Sequence, residues 1–357
     1  MTRPLKLTGS ALALFVLAGF GVFLLVDSGS TVQDARVRKT TYGVEFASAQ
    51  KDTFTVMTYN LGPASAKTTN GSSDSHTGSA QSKLPALDLI RQVNPDILGF
   101  QNVDLSPTDS ASPSQLKTIA TRLKIPEAIQ AGDQHRGPLP WLHSQQSGEA
   151  VLSRFPIRRS LAKNTVQSSL GPSFDTDSFL QIAALDVGGW PLIVMNAHLN
   201  KSDPKIRKKQ TLTLMELYGR LSQESFPILV IGTFNSLMPA AAPSLSTSTK
   251  AMGLVLERTN LIPVLSSEAA QLSGKIVATY PADSPKQKID YILHSPNNII
   301  PTNAEVLCGD DPPPPSNHCA VALSFLLPRP KDRLPKKRIP DARLPSLDRL
   351  LNDKETE

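Results

Sequence analysis

Short polar motifs follow several apolar runs in this 357-residue chain, and their side chains are suited to binding a phosphate group. His198 and His318 carry imidazoles, which can donate hydrogen bonds to anionic oxygens. Asn60 and Asn235 add amide groups, and Asp290 adds a carboxylate. Two histidines and two asparagines that a fold brings together can bind a phosphate or a sulfate. The chemistry that these residues indicate is therefore phosphate recognition.

The apolar runs that precede the motifs predict the elements that position them. Their lengths, and the Gly, Pro, Asn and Ser residues that bound them, are typical of strands buried in a sheet. The predicted strands are 54–59, 97–100, 150–152, 182–187, 192–197, 228–231, 289–293 and 320–326. Residues 84–93 and 206–221 have the apolar spacing of helices. Strands and helices alternate along one unit without an internal repeat, which predicts an α/β domain.

The order of the polar motifs resembles that of the endonuclease/exonuclease/phosphatase superfamily, which has the DNase I-like fold. The motifs that carry the resemblance are Thr58-Tyr59-Asn60, Pro95-Asp-Ile-Leu-Gly-Phe-Gln-Asn102, Gly148-Glu-Ala-Val-Leu-Ser-Arg-Phe-Pro-Ile157, Asn196-Ala-His198-Leu-Asn200, Ile231-Gly-Thr-Phe-Asn235, Thr279-Tyr-Pro-Ala, Lys288-Ile-Asp-Tyr-Ile-Leu293 and Ser316-Asn-His318. Over residues 53–327, the resemblance implies a four-layered α/β sandwich of two packed β-sheets flanked by helices. It also implies metal-dependent phosphate-ester hydrolysis, with Mg²⁺ or Mn²⁺ as cofactor and a phosphate-bearing ligand: nucleic acid, a lipid head group or a small molecule.

The resemblance assigns a role to each of five matching residues. Asn60 would orient a metal ligand or the phosphate, and His198 would donate to a phosphate oxygen. Asn235 would position the attacking water. Asp290 would hold His318 in its working tautomer, and His318 would stabilise charge in the transition state. These five residues are the predicted catalytic set.

Three other positions depart from the family pattern, and each departure replaces a carboxylate with a neutral side chain. The family's Gln-Glu is here Gln-Asn102, its Gly-Asp-Phe-Asn is here Gly-Thr233-Phe-Asn, and its Ser-Asp-His is here Ser-Asn317-His. Protein sites usually hold Mg²⁺ through one or two carboxylates, and a threonine is too weakly basic to take a proton from water. We therefore expect a degenerate metal site that binds a phosphate-bearing ligand without cleaving it.

Two alternatives to the degenerate site stay open at this point. Asp104 and Glu149 lie near the same motifs and are candidate metal ligands, so relocated carboxylates would support an active phosphodiester or phosphomonoester hydrolase. The other alternative is a structural or interaction module without a ligand. Fold resemblance does not decide among the three, because function depends on the site.

The N-terminal residues predict a membrane segment. Arg3 and Lys6 precede residues 8–26, which carry no charge. About 18–20 apolar residues span a bilayer as a helix, so residues 1–27 form either a membrane anchor or a cleaved signal segment. Both alternatives place the remaining chain outside the cytoplasm. We expect a tether over 28–52 and a disordered, Pro-rich charged tail over 328–357.

Charge and cysteine content further narrow the class of protein to which the chain can belong. The net charge of +6 comes largely from the two ends of the chain, so the central part is near neutral and produces no strong field toward nucleic acid. Cys308 and Cys319 are the only cysteines, which excludes a small disulfide-framework protein. In an oxidising compartment they can form a bridge around the intervening proline-rich loop, and two buried thiols are the alternative.

Overall fold

The computed structural model describes ten ranges of the chain. They are residues 37–48, 51–62, 84–105, 114–132, 147–164, 179–239, 250–265, 277–296, 298–309 and 314–328. The predicted membrane segment over 1–27 and all but the first residue of the predicted tail lie outside these ranges. Within them, no helix has the length and apolarity that a membrane crossing requires.

The described residues form thirteen strands and four helices. The strands are β1 Arg38–Thr41, β2 Thr53–Asn60, β3 Ile97–Asp104, β4 Glu127–Gly132, β5 Ser147–Ser153, β6 Ile157–Asn164, β7 Phe179–Val187, β8 Trp190–His198, β9 Ile228–Thr233, β10 Ile262–Pro263, β11 Asp290–His294, β12 Ile300–Leu307 and β13 Ala320–Leu326. The helices are α1 Leu84–Val93, α2 Gln115–Arg122, α3 Pro204–Ser222 and α4 Lys250–Arg258. All eight predicted strands and both predicted helices are present.

The strands build two mixed sheets. In the described residues, a seven-stranded sheet has the order β1-β4-β5-β3-β2-β13-β12, and a six-stranded sheet has the order β10-β11-β9-β8-β7-β6. The pairs β2/β3 and β8/β9 are parallel, and the other pairs are antiparallel. A parallel pair needs a crossover connection, which α1 provides for the first pair and α3 for the second.

Local sequence explains where these crossover helices begin and end. Asp203 caps α3, because its carboxylate accepts hydrogen bonds from two backbone N–H groups of the first turn, and Pro204 occupies a position that needs no donor. Helix α1 ends at Val93, and the next residues are Asn94, which has a φ of 48°, and Pro95. A proline disfavours the α conformation of the residue before it, so the chain leaves the helix there.

Three apolar cores separate four layers. One lies between the two sheets and contains Val56, Val151, Val194 and Ile231 among others. Another lies between the seven-stranded sheet and helices α1 and α2, and a third lies between the six-stranded sheet and helices α3 and α4. The order is helices, sheet, sheet, helices. The predicted four-layered α/β sandwich is confirmed.

Four residues within the segment predicted as a tether, 28–52, form a strand. Strand β1 pairs antiparallel with β4, from Arg38 opposite Gln130 to Thr41 opposite Glu127. Its sequence is Arg-Lys-Thr-Thr, which lacks the apolar alternation of a half-buried strand. Charged residues are common on edge strands because they discourage pairing with other chains. The folded part of the chain therefore begins before residue 53.

Candidate functional site

The predicted site residues meet at one edge of the sandwich because of strand direction. Asn60 is the last residue of β2, and Thr233 is the last residue of β9. Strand β11 runs antiparallel to β9 and begins with Asp290, directly opposite Thr233. His198 ends β8 and is also paired with Thr233. Strand ends and strand starts thus bring together residues that are distant in the sequence.

His318 and Asp290 form a buried pair. His318 Nδ1 lies 2.9 Å from Asp290 Oδ2 and 3.1 Å from Oδ1. An ionised carboxylate only accepts hydrogen bonds, so the proton is on Nδ1 and the ring presents Nε2 to a ligand. The backbone N–H of His318 donates to Ser316 Oγ, which itself donates to the carbonyl of Asn60. Asp290 therefore fixes the tautomer of His318, as the family resemblance implies.

A chain of hydrogen bonds continues from Asp290 through the residues predicted to have lost carboxylates. Thr233 Oγ1 donates to Asp290 Oδ1 at 2.6 Å and accepts from Asn60 Nδ2 at 3.0 Å. Asn60 Oδ1 accepts from the backbone N–H of Gly62 and from Asn102 Nδ2, both at 2.9 Å. The Gly62 donor decides the orientation of both amides, because a backbone N–H needs an oxygen. Asn102 must then direct its NH₂ group toward Asn60.

Asn317, the third residue predicted to replace a family carboxylate, lies against the loop after β2. Gly62 has a φ of 68°, and a Cβ at this position would lie 2.7 Å from Asn317 Oδ1. Glycine is favoured here both by the positive φ and by the close approach of the side chain. Asn317 therefore contacts the loop after Asn60, and its backbone carbonyl accepts a hydrogen bond from Ala282.

His198 has a carboxylate partner of its own. Its Nδ1 lies 3.1 Å from Glu149 Oε1, and the Glu149 side chain is almost fully buried. The ladder between β3 and β5 shifts register at a bulge, so that Gln101 and Asn102 together lie opposite Glu149. Glu149, a candidate metal ligand from the sequence, thus contacts a histidine of the other sheet.

The remaining predicted residues lie at the margins of this cluster. Asn235 has a φ of 47° and donates from Nδ2 to the carbonyl of Leu199, in the loop after His198. Asp104 ends β3 opposite Ser147, and its backbone N–H donates to Gln115 Oε1. Asn235 thus contacts the loop after His198, whereas Asp104 lies two residues further along β3 than Asn102.

Cys308 and Cys319 form a disulfide next to His318. Cys308 follows β12 and Cys319 precedes β13, just beyond the last ladder pair of Leu307 with Ala320. The bridge therefore extends the hairpin by one covalent pair. It closes the loop that carries His318.

A layer of buried amides beneath the pocket was not predicted. Gln101 Nε2 donates to Asn196 Oδ1, and Asn196 Nδ2 donates to the carbonyls of Phe100 and Ala150 in the other sheet. Gln181 Nε2 likewise donates a hydrogen bond to a carbonyl of the other sheet, that of Glu149. All three amide side chains are fully buried. They join the two sheets directly below the histidines.

Two further residues at the pocket rim were also missed. The Tyr280 ring packs against the His318 ring, with centroids 4.8 Å apart. The Lys201 ammonium lies 5.1 Å from the centroid of the Tyr280 ring. Tyr280 follows Thr279 in one of the quoted motifs, and Lys201 is three residues after His198. Proximity to a motif was therefore the signal that could have found both.

The side chains present do not fit a carboxylate-rich magnesium centre. Among the described residues, no group of three or more His, Cys, Asp or Glu side chains is arranged to hold a metal ion. Asp290 and Glu149 are both hydrogen-bonded to histidines, and Asn102 directs a donor rather than an oxygen toward Asn60. Mg²⁺ requires oxygen ligands in near-octahedral geometry. These side chains therefore do not supply the ligand set that Mg²⁺ requires.

Comparison with known proteins identifies the family. A model of the endonuclease/exonuclease/phosphatase family matches residues 69–318, which is more than half of the chain. The chain belongs to the endonuclease/exonuclease/phosphatase family. Comparison with curated protein sequences gives no match.

Solved structures with the endonuclease/exonuclease/phosphatase fold resemble this chain at low identity. An endonuclease/exonuclease/phosphatase of Beutenbergia cavernae is 17% identical with a TM-score of 0.55, over 78% of this chain and 72% of that one. The mannosyl-6-phosphatase of Bacteroides thetaiotaomicron is 17% identical with a TM-score of 0.53, over 76% and 99%. The catalytic domain of human Nocturnin, solved with bound sulfate, is 17% identical with a TM-score of 0.53, over 82% and 99%. At this identity, the likeness is one of fold.

Proposed function

We propose that this chain is a membrane-anchored, extracytoplasmic family member that binds a phosphate-bearing ligand without the family's magnesium centre. One observation carries the proposal. Asn102 and Thr233, which we infer to occupy two of the family's carboxylate positions, are hydrogen-bonded to Asn60 and Asp290. Neutral side chains that satisfy one another supply no charge to hold a divalent cation. The same pocket keeps both histidines.

The two histidines would bind the phosphate. In each of them Nδ1 is hydrogen-bonded to a carboxylate, Glu149 for His198 and Asp290 for His318, so Nε2 is the atom left for the ligand. Nε2 donates to a phosphate oxygen only when the ring is doubly protonated. The sulfate bound by human Nocturnin supports an anion site on this fold.

Calorimetry of the whole protein tests the proposal. Inorganic phosphate and a phosphodiester, bis-p-nitrophenyl phosphate, are titrated in the presence of EDTA. We expect binding in EDTA that is lost in a His198→Ala/His318→Ala variant. Asn298→Ala, an exposed residue outside the pocket, is the control. Binding that appears only when Mg²⁺ is added would contradict the proposal.

The extracytoplasmic location rests on two sequence features and one structural feature. Residues 1–27 combine basic residues with an uncharged apolar stretch, which favours a span with its N-terminus in the cytoplasm. The disulfide between Cys308 and Cys319 supports an oxidising compartment. Fractionation of cells that express the full chain, followed by protease treatment from outside, would test this. Protection of the domain in intact cells would contradict it.

Metal-dependent hydrolysis is the second candidate function. It is favoured by the bulge in β3, which places the buried carboxylate of Glu149 opposite Asn102 in the ladder. The similarity of fold to a mannosyl-6-phosphatase is consistent with it. Turnover of bis-p-nitrophenyl phosphate that requires Mn²⁺ and disappears in His198→Ala would support hydrolysis. Absence of both binding and turnover would leave the structural-module alternative.

A further inference from the structure

Lys201 is a cation at the pocket rim that has no acidic partner among the residues that the structure describes. Its ammonium lies 5.1 Å from the centroid of the Tyr280 ring and 3.5 Å from the Tyr280 hydroxyl. In the described part of the chain, no carboxylate lies within ion-pairing distance of it. A lysine that contacts an aromatic face keeps its charge available to a ligand, because the ring does not neutralise it.

The backbone that carries Lys201 is held in place by several hydrogen bonds. Arg207, buried in the first turns of α3, donates from Nη1 to the carbonyls of Asn200 and Lys201 at 2.8 and 2.9 Å. Asn200 Oδ1 accepts from the backbone N–H groups of Ser202 and Asp203. Such a loop loses little entropy when a ligand binds to it, so the position of Lys201 is preorganised.

Three side chains form a path from the interior of the pocket to solvent. His318 is buried, Tyr280 is half-buried and Lys201 is exposed, and each contacts the next. A phosphate bound at the buried imidazole lies deeper than the lysine. A ligand that extends outward from this phosphate would pass Tyr280 and then meet the ammonium. The lysine is therefore placed for a second group of the ligand, rather than for the phosphate at His318.

We propose that Lys201 and Tyr280 form a subsite for a second anionic group, so that the protein selects phosphate esters with two anionic groups over those with one. The inference rests on the proposed phosphate-binding function, which it refines. The chemical class is a bisphosphate or a phosphate with a neighbouring phosphodiester. Lysine is a suitable residue here, because its point charge attracts phosphate without demanding one geometry.

The test compares three nucleotides that differ only in their phosphates. Adenosine 3′,5′-bisphosphate, adenosine 5′-monophosphate and adenosine 3′-monophosphate are titrated into the whole protein by calorimetry in EDTA. We expect the bisphosphate to bind about fivefold more tightly than either monophosphate, the size of an exposed charge pair. Lys201→Met should remove this preference and leave the affinities for the monophosphates within about twofold, since their phosphate lies deeper.

A matched control and three outcomes that would contradict the proposal complete the test. Lys208→Met removes another exposed lysine, on α3, which has no ion-pair partner within the described ranges, and should preserve the preference. If Lys201→Met weakened all three ligands equally, the lysine would act as a general attractive charge and the subsite would be refuted. If the wild-type protein bound none of the three, the proposed function would fail and the subsite with it. An equal affinity for all three would overturn the subsite alone.

Discussion

Returning carboxylates to the pocket should make the stability of this protein depend on Mg²⁺. The perturbation is the double variant Asn102→Glu/Thr233→Asp. In the wild-type protein, Asn102 Nδ2 donates to Asn60 at 2.9 Å, and Thr233 Oγ1 donates to Asp290 at 2.6 Å. Both donors disappear in the variant. A new carboxylate at position 233 would also lie next to the carboxylate of Asp290.

The expected loss in the free energy of unfolding follows from these contacts. Losing a neutral hydrogen bond costs about 1 kcal/mol, and losing one to a charged acceptor costs about 2 kcal/mol. Two carboxylates about 4 Å apart repel by about 4 kcal/mol at an effective dielectric constant of 20. Protonation limits the repulsion, so we expect a loss of about 5 kcal/mol in the free energy of unfolding without metal. Mg²⁺ at a hundred times its Kd would restore about 2.7 kcal/mol.

The assay is urea unfolding followed by circular dichroism, in EDTA and in millimolar MgCl₂. The matched control, Thr302→Asp/Gln223→Glu, adds the same charge at two exposed positions. Its free energy of unfolding should be the same in EDTA and in MgCl₂. If the double variant does not fold in EDTA, Asn102→Glu alone gives the same comparison at a smaller cost. Stabilisation of the wild-type protein by Mg²⁺ to the same extent would refute the reasoning, because the pocket would then hold the cation already.

Three other predictions concern stability. Cys308→Ser/Cys319→Ser should lower the free energy of unfolding by about 3 kcal/mol in urea denaturation, because the bridge closes a short loop of sequence separation 11; an unchanged midpoint would contradict this. Burial lowers the pKa of Lys288 to about 8, so the unfolded state binds more protons than the folded state between this pH and the ordinary lysine value. The contribution of Lys288 to stability should therefore rise by about 2 kcal/mol from pH 7 to pH 10, and Lys288→Met should lose this contribution when unfolding is measured across the range. Gly232→Ala should cost more than about 3 kcal/mol or prevent folding, because its Cβ would lie 1.9 Å from the Ala197 carbonyl at a φ of 134°. Soluble expression and thermal melting of the Gly232→Ala variant check this prediction. Gly219→Ala is the control, because a Cβ there meets nothing within 4 Å.

The elements that the sequence revealed are those with a clear apolar signal. The helix predicted over 84–93 has these bounds in the structure, because its apolar face and the following Asn94-Pro95 both mark it. Strand β12 was missed because it is an exposed edge strand in which apolar and polar residues do not alternate. A residue such as Ile300, half exposed at the start of that strand, gives no periodic signal.

The candidate site likewise contains residues that the sequence predicted and a contact that it did not. Motif order was sufficient to select Asn60, Asp290 and His318, and the structure joins all three in one hydrogen-bonded chain through Thr233. The pairing of Glu149 with His198 was not foreseen, because it crosses from one sheet to the other and depends on a bulge. Contacts of this kind are set by how the sheets pack, which local sequence does not encode.

The amide layer has a consequence for how the two sheets are aligned. Asn196 and Gln181, on one sheet, donate to carbonyls of three residues on the other, in an interior without exposed surface. If one sheet slid by a residue past its partner, these amides would face apolar neighbours and lose their acceptors, at a cost of several kcal/mol. The buried hydrogen bonds thereby fix the alignment of the two sheets. These hydrogen bonds therefore also set the spacing between His198 and His318. This spacing would persist even where the surface loops above it change in length.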